Sequence, residues 1–322
     1  MAELKQSNIL VTGAAGFIGS HLVEELLKYN SHNIICTYRS LNLRSYFYSQ
    51  KLSEKVILAN CDIKDFKRVF DIITKYNIDI VFHLAAQAIV DTAYKNPIET
   101  IETNVMGTAN ILEACRLKGG LKSIIVVSSD KAYGKSKELP YKETSPLKGD
   151  HPYDVSKSSA DLIGQTYFKT YNLPIIISRF SNVFGPGDLN FSRLIPGVLE
   201  SIIKKEEFLI RSNGGMVREY TYVKDIVDGC IKLAQKTEGI AGESFNFGSK
   251  NIFSVMEAIE KIQQILAEKI NYRILNIAKN EIPQQYLDWT KANTRLDWKP
   301  ETSFEDGIKK TFDWYRNYHL EN

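Results

Sequence analysis

Tyr153 and Lys157 stand four residues apart in HPYDVSKSSADLI, which puts a phenol and an amine one turn apart on one face of a helix. A free tyrosine, with a pKa of about 10, is a poor base at neutral pH. A nearby ammonium favours the phenolate, and bringing it to about 7 takes ~4 kcal/mol, within reach of a closed cleft. Such a phenolate removes a hydroxyl proton while the carbon beneath is oxidised. The spacing alone is common on amphipathic helices. Here it lies downstream of a strand pattern ending in Ser128-Ser129, where Ser129 can hydrogen-bond the reacting oxygen, and of a glycine loop near the chain start. That loop runs Thr12-Gly13-Ala14-Ala15-Gly16-Phe17-Ile18-Gly19. Gly13 permits a tight turn, Gly16 lets the backbone approach a pyrophosphate, and Gly19 allows a helix to pack closely on the strand. The helix start, with Ala15, Phe17 and Ile18 around it, offers N–H groups to phosphates, so a dinucleotide site is expected.

These groups need a scaffold. Short β-branched runs at Asn8–Thr12, Ile34–Thr37, Val56–Asn60, Ile80–His83, Ser123–Ser128 and Pro174–Ser178 alternate with helical patterns at Phe17–Tyr29, Phe66–Tyr76, Pro97–Lys118 and Pro152–Tyr171. The alternation predicts an α/β fold, a Rossmann-type doubly wound parallel sheet with helices on both faces. Ligands then lie beyond the carboxyl ends of the strands. Leu84, Ala85, Ala86 and Gln87 follow one such end, and the small alanines let the backbone approach a cofactor. Beyond Arg179 the pattern loosens: the turns Gly185-Pro186-Gly187 and Asn213-Gly214-Gly215 flank a helix over Ser192–Lys205, and another follows over Ser254–Lys269. We expect a dinucleotide-binding domain over 1–178 plus about 221–249, and a smaller α/β substrate-binding lobe over about 179–220 plus 250–322.

Composition narrows the function. With 322 residues, 43% of them hydrophobic, the chain can bury a large core, which excludes disorder. Its 41 basic and 38 acidic residues leave a net charge of +3, too weak a field to argue for nucleic acid. Cys36, Cys61, Cys115 and Cys230 form no CxxC or metal-ligand spacing, so reduced core thiols and no metal are expected. The opening MAELKQSN leads into a strand without a charged-then-apolar leader, and no run is long enough for a bilayer. A cytoplasmic protein is expected.

The GxxGxxG spacing resembles the short-chain dehydrogenase/reductase superfamily, and TGAAGFIGSHL resembles its extended branch. The resemblance places Asp62 and Ile63 against the adenine and points Asn104 of TNVMGT at the site. After Ser129 come Asp130 and Lys131. Sugar-nucleotide 4,6-dehydratases of this superfamily carry an acid–base pair there, because water leaves across C5 and C6. By that resemblance Asp130 is the acid, Lys131 the base and Tyr153 the C4 hydroxyl's base. Lysine in the third place looks most like CDP-glucose 4,6-dehydratases. A 4-epimerase or reductase on the same scaffold is the alternative, against which the Asp130-Lys131 pair argues.

The family pattern also implies a nucleotide-diphosphate sugar held by Gln87, Asn182, Arg193 and Arg218, and a homodimer through Pro97–Lys118 and Pro152–Tyr171, with Met106, Val155, Leu162 and Tyr167 as apolar surface. Two places depart from it. Ile18 stands where CDP-glucose dehydratases often have lysine, and Tyr38-Arg39-Ser40 stands where NAD enzymes have a carboxylate. A guanidinium at Arg39 would add about 1.5–3 kcal/mol to binding of a 2′-phosphate, so NADP is expected over NAD, against family habit.

Overall fold

The computed structural model describes residues 4–29, 31–277 and 282–320. Strands β1 (Asn8–Thr12), β2 (Asn33–Tyr38), β3 (Ile57–Asn60), β4 (Ile80–His83), β5 (Ser123–Ser129) and β6 (Ile175–Phe180) follow the expected runs to within a residue or two. Beyond them come β7 (Asn182–Phe184), β8 (Phe208–Ile210), β9 (Val217–Tyr222), β10 (Ser244–Phe247), β11 (Ile252–Ser254), β12 (Tyr272–Ile274) and β13 (Gln284–Gln285). The main sheet has the order β10-β6-β5-β4-β1-β2-β3, with every pairing parallel. This is the doubly wound Rossmann-type arrangement.

Both sheet faces are buried because successive residues through the middle of most strands are apolar and point to opposite sides. Ile9, Val11, Phe82, Ile125 and Ile176 pack on one face with Leu22, Leu26 and Ile226 from the flanking helices. Leu10, Ile35, Val81, Ile124 and Ile177 pack on the other with Val69, Ile72 and Leu112. The four cysteines are free and buried in these layers.

The long pattern over Pro97–Lys118 is helical but not uniform. Helices Pro97–Ile101 and Gly107–Lys118 are joined by a π segment, Glu102–Met106, which carries Asn104. Single-turn π segments in helices often sit at functional sites. The Pro152–Tyr171 helix has the expected bounds. Tyr167 on it packs partly onto the core and donates its hydroxyl to Glu113, so it is not the free apolar surface expected of it. The helix Val223–Gln235, which the sequence pattern did not single out, covers the main sheet beside Phe17–Leu26.

The smaller lobe is organised around β9, which pairs antiparallel with β11 and parallel with β7 and β13; β8 and β12 form a separate pair. Its own core gathers Phe184, Tyr220, Tyr222, Ile259, Phe304 and Tyr315. The Val255–Leu266 helix starts on a reciprocal cap between Ser254 and Glu257, which fixes its first turn. Among the described residues, no helix is long and apolar enough to cross a membrane.

Candidate active site

The glycine loop turns from β1 into the Phe17–Leu26 helix at the carboxyl edge of the main sheet. Gly13 has a φ of +69°, and a Cβ there would meet the Ala85 backbone nitrogen at 2.8 Å. A Cβ on Gly19 would lie 2.2 Å from the Gly13 carbonyl oxygen, so the helix can sit this close only with glycine. Gly16 is the N-cap, and no side chain caps the helix. Its first N–H groups are left to a ligand, which is the donor set a pyrophosphate needs. Thr12 Oγ1 accepts from the Ala85 nitrogen at 3.1 Å and shares a hydrogen bond with His83 Nδ1 at 2.8 Å, fixing the alanine pair beside the loop.

Asn104 clamps the next stretch. Its Oδ1 accepts from the Gln87 nitrogen at 2.7 Å, while Nδ2 donates to the Gln87 carbonyl at 3.0 Å and to Ser156 Oγ at 2.9 Å. Asn104 is therefore spent on holding the β4 loop to the Pro152–Tyr171 helix. Gln87 Oε1 is buried without a partner. Ile63 is buried, packs against Gly107 and holds Asn110 through its carbonyl; Asp62 is half-buried and accepts from the Lys64 nitrogen. Leu84 and Ala86 lie in the segment after β4, Ala15 lies in the glycine loop, and Phe17 and Ile18 open the helix that follows it.

Ser129 ends β5, and Asp130–Tyr133 forms a tight turn after it. Tyr153 and Lys157 project from the neighbouring helix and are both buried. Lys157 Nζ donates to the Val127 carbonyl at 3.1 Å, and burial lowers its pKa to about 8. Burial pushes the Tyr153 phenol up to about 12, against the pull of Arg193 and the Ser129 hydroxyl. Here loss of solvent outweighs the pull of Arg193; the expected fall counted on the positive nicotinamide as well as the lysine.

Asp130 is 1% exposed. Its Oδ1 accepts from Ser129 Oγ at 3.0 Å and Lys131 Nζ at 3.4 Å, and its Oδ2 is buried with no partner. Lys131 Nζ also donates to Gln285 Oε1 at 2.8 Å. Close by, Glu219 is fully buried; burial raises it to about 8, with the Asp130 carboxylate adding to the rise. The same pair of causes, burial first, lifts Asp154 to about 6. An acidic group, an amine and a seryl hydroxyl therefore meet at one strand end, which is a working set for general acid–base chemistry.

The residues expected on the substrate side are partly engaged by the protein. Asn182 Nδ2 donates to the Glu219 carbonyl at 3.2 Å. Arg193 pairs with Asp188 at 2.9 Å and lies close enough to act on Tyr153. Arg218 donates to the carbonyls of Val217 and Pro283 at 2.9 and 3.3 Å. Arg39 is paired with Glu99 at 3.2 Å instead of standing free beside the adenine edge. Sequence reasoning missed Gln285, Glu219 and the Thr12–His83 pair; of these Thr12 and His83, each at a strand end, carried a positional signal.

The family model for GDP-mannose 4,6 dehydratase matches residues 10–311. The chain belongs to this family. Its relatives are sugar-nucleotide dehydratases and epimerases of the extended short-chain dehydrogenase/reductase type. It is 32% identical to the dTDP-glucose 4,6-dehydratase 1 of Escherichia coli, over 95% of this chain and 92% of that one. It is also 32% identical to a trifunctional UDP-glucose 4,6-dehydratase of Arabidopsis thaliana over 97% of this chain, spanning only 47% of that longer protein. The dTDP-glucose 4,6-dehydratase of Streptomyces venezuelae with NAD and TYD bound superposes with a TM-score of 0.88 at 28% identity, covering 96% of this chain and 97% of that one. The UDP-glucuronic acid 4-epimerase of Bacillus cereus, with UDP-glucuronic acid and NAD, also gives 0.88 at 28%, over 96% and 99% of the chains. These names carry dTDP- and UDP-sugars, which lends no support to CDP-glucose, and NAD, which lends none to a preference for NADP.

Proposed function

We propose that the protein is an NAD-dependent nucleoside-diphosphate-hexose 4,6-dehydratase. The observation that carries this reading is the Asp130-Lys131 pair beside Ser129, with one buried Asp130 oxygen unpartnered. The Gly13–Gly19 loop and the Ala85-Ala86 edge hold the dinucleotide, with Asp62 and Ile63 at its adenine and Lys157 at its nicotinamide ribose. NAD is favoured over NADP because the structural relatives are named with NAD bound, and Arg39 is turned toward Glu99. Arg193, Arg218, Gln87 and Asn182 face the sugar nucleotide, with residues about 179–220 and 250–322 as the lobe that binds it.

When bound, NAD supplies the redox chemistry, taking a hydride from C4 and returning it at C6. Ser129 holds the C4 oxygen and Tyr153 accepts its proton as the ketone forms, which requires that the positive charge of the bound cofactor outweigh the burial that keeps the phenol protonated. Lys131 then removes the C5 proton, now acidic beside that ketone. The C5–H electron pair forms the C5–C6 double bond as the C6–O bond breaks, and Asp130 gives its proton to the departing oxygen. Lys131 finally returns its proton to C5 as C6 is reduced. C4 has lost two electrons and C6 has gained them; Tyr153 releases the C4 hydroxyl proton to solvent and Asp130 regains one from it, so the net change is loss of one water.

A 4-epimerase needs Tyr153, Lys157 and Ser129 but leaves Asp130 and Lys131 without a task. Incubation with NAD and glucose or mannose carried on CDP, dTDP, UDP or GDP, followed by mass analysis, separates the two. A product lighter by one water supports the dehydratase; an isomer of unchanged mass on every accepted substrate rejects it. Lys131 in the third place is the feature that favours CDP-glucose within that panel.

A further inference from the structure

We propose that Gln285, contributed by the smaller lobe, is a positioning residue that holds the Lys131 amine where it takes the C5 proton. The inference rests on the dehydratase reading above and deepens it. Lysine has a long flexible side chain, and Lys131 directly follows an acidic neighbour in sequence. Left to those two residues, the nitrogen would settle on the Asp130 carboxyl. It does not: the Asp130 contact is 3.4 Å, at the edge of a hydrogen bond, whereas the Gln285 contact is 2.8 Å. The amide holds Nζ at the shorter distance, with the longer contact to Asp130 Oδ1 kept and Oδ2 without a partner. A neutral amide oxygen accepts from an amine and from an ammonium alike, so it can hold the nitrogen before and after proton uptake, and it favours the charged form less than a carboxylate would. A carboxylate in its place would favour the charged form and oppose the role of base.

Gln285 is itself held from two sides and is fully buried. On one side it lies opposite Arg218 of β9, and Glu219, next along that strand, accepts from the backbone nitrogens of Leu287 at 3.2 Å and Ser249 at 2.8 Å. On the other side Tyr141 exchanges backbone hydrogen bonds with Tyr286 at 3.0 Å and Asp288 at 2.8 Å. The Tyr141 hydroxyl donates to the Gly134 carbonyl, directly after the turn that carries Asp130 and Lys131, and its ring stacks on Tyr133 at 4.8 Å. Tyr141 therefore ties the strand bearing Gln285 to the turn bearing Lys131. The acid–base pair is completed by both lobes, and Gln285 serves elimination without serving C4 oxidation.

The test is Gln285→Met, close in shape but without the acceptor, alone and combined with Lys131→Met, using the sugar nucleotide that the wild type dehydrates. Absorbance of reduced NAD reports C4 oxidation, and 4-keto-6-deoxy product reports elimination. In Gln285→Met, reduced NAD should appear at the wild-type rate with KM within about twofold, while product formation falls about tenfold or more. The double variant should be no slower than Lys131→Met, because Gln285 acts through the amine. Unchanged elimination in Gln285→Met, or losses that multiply in the double variant, would overturn the proposal. If the methionine variant shows no cooperative melting, Gln285→Asn, which retracts the acceptor by one methylene, is read by the same criteria. A Lys131→Met enzyme eliminating at the wild-type rate would overturn the inference through Lys131 itself. Absence of any dehydrated product from the wild type would instead remove the parent reading.

Discussion

The two oxygens of Asp130 are unequal: one is shared by Ser129 and Lys131, the other is buried and unpartnered. That asymmetry suits a carboxyl that donates a proton from one oxygen while the other is held. Asp130→Asn should therefore still form reduced NAD on mixing with substrate but accumulate it without 4-keto-6-deoxy product, as stopped-flow absorbance would read; product at the wild-type rate would remove the residue from the acid's role. Tyr153→Phe should lower turnover by about two orders of magnitude or more with the melting temperature little changed, the scale of a positioned acid–base group. Near-native turnover would sink the oxidation step as assigned. Tyr153 and Lys157 were legible because helical periodicity fixes which residues share a face. The direction of the tyrosine's pKa was not, because it depends on burial, which spacing does not encode. Gln285 was illegible for a different reason: it lies 154 residues from Lys131, on a strand of two residues that has no pattern to read.

Among the elements, β1 to β6 were legible as short apolar runs bounded by turn residues, whereas β10 completes the same sheet as Ser-Phe-Asn-Phe, with no β-branched residue to mark it. The π segment at Glu102–Met106 was not legible, since the sequence there keeps a helical composition and only the clamp made by Asn104 marks it. Glu219 shows how one buried side chain joins elements. It accepts from Ser249 after β10 and from Leu287 after β13, and the Cβ of any residue replacing Gly248 would meet it at 2.4 Å. Burial raises its folded pKa to about 8 from the ordinary 4.5. The folded protein thus keeps a proton that the unfolded chain gives up. The carboxyl's contribution is fully present below the unfolded pKa and is lost as pH rises through about 8. Glu219→Gln cannot titrate, and its amide leaves one backbone N–H unmatched, a loss of about 1–3 kcal/mol. The variant should melt below the wild type at about pH 6, with the gap narrowing by about pH 9. A gap that stays constant with pH would contradict the buried titration.

At the scale of the molecule, the smaller lobe was legible only as a place where the main pattern loosened, because its strands are short and its sheet is assembled around β9 from distant segments. The Lys131–Gln285 hydrogen bond joins the turn after β5 to the sheet around β9. Ile98, Met106, Val155 and Leu162 are 64%, 54%, 40% and 51% exposed on the Pro97–Lys118 stretch and the Pro152–Tyr171 helix. Exposed apolar side chains so grouped are expected at an interface, and a second copy of the chain is the proposed partner. Light scattering should give a dimer for the wild type and a monomer for Leu162→Glu; a monomeric wild type at micromolar concentration would reject it. The central claim is that hydrogen leaves C4 and arrives at C6 with loss of water between. Turnover of a sugar nucleotide deuterated at C4, read by NMR, tests it most directly. The account predicts deuterium in the C6 methyl of a 4-keto-6-deoxy product. Deuterium returned to C4 of an unreduced hexose, with C6 still hydroxylated, would contradict it.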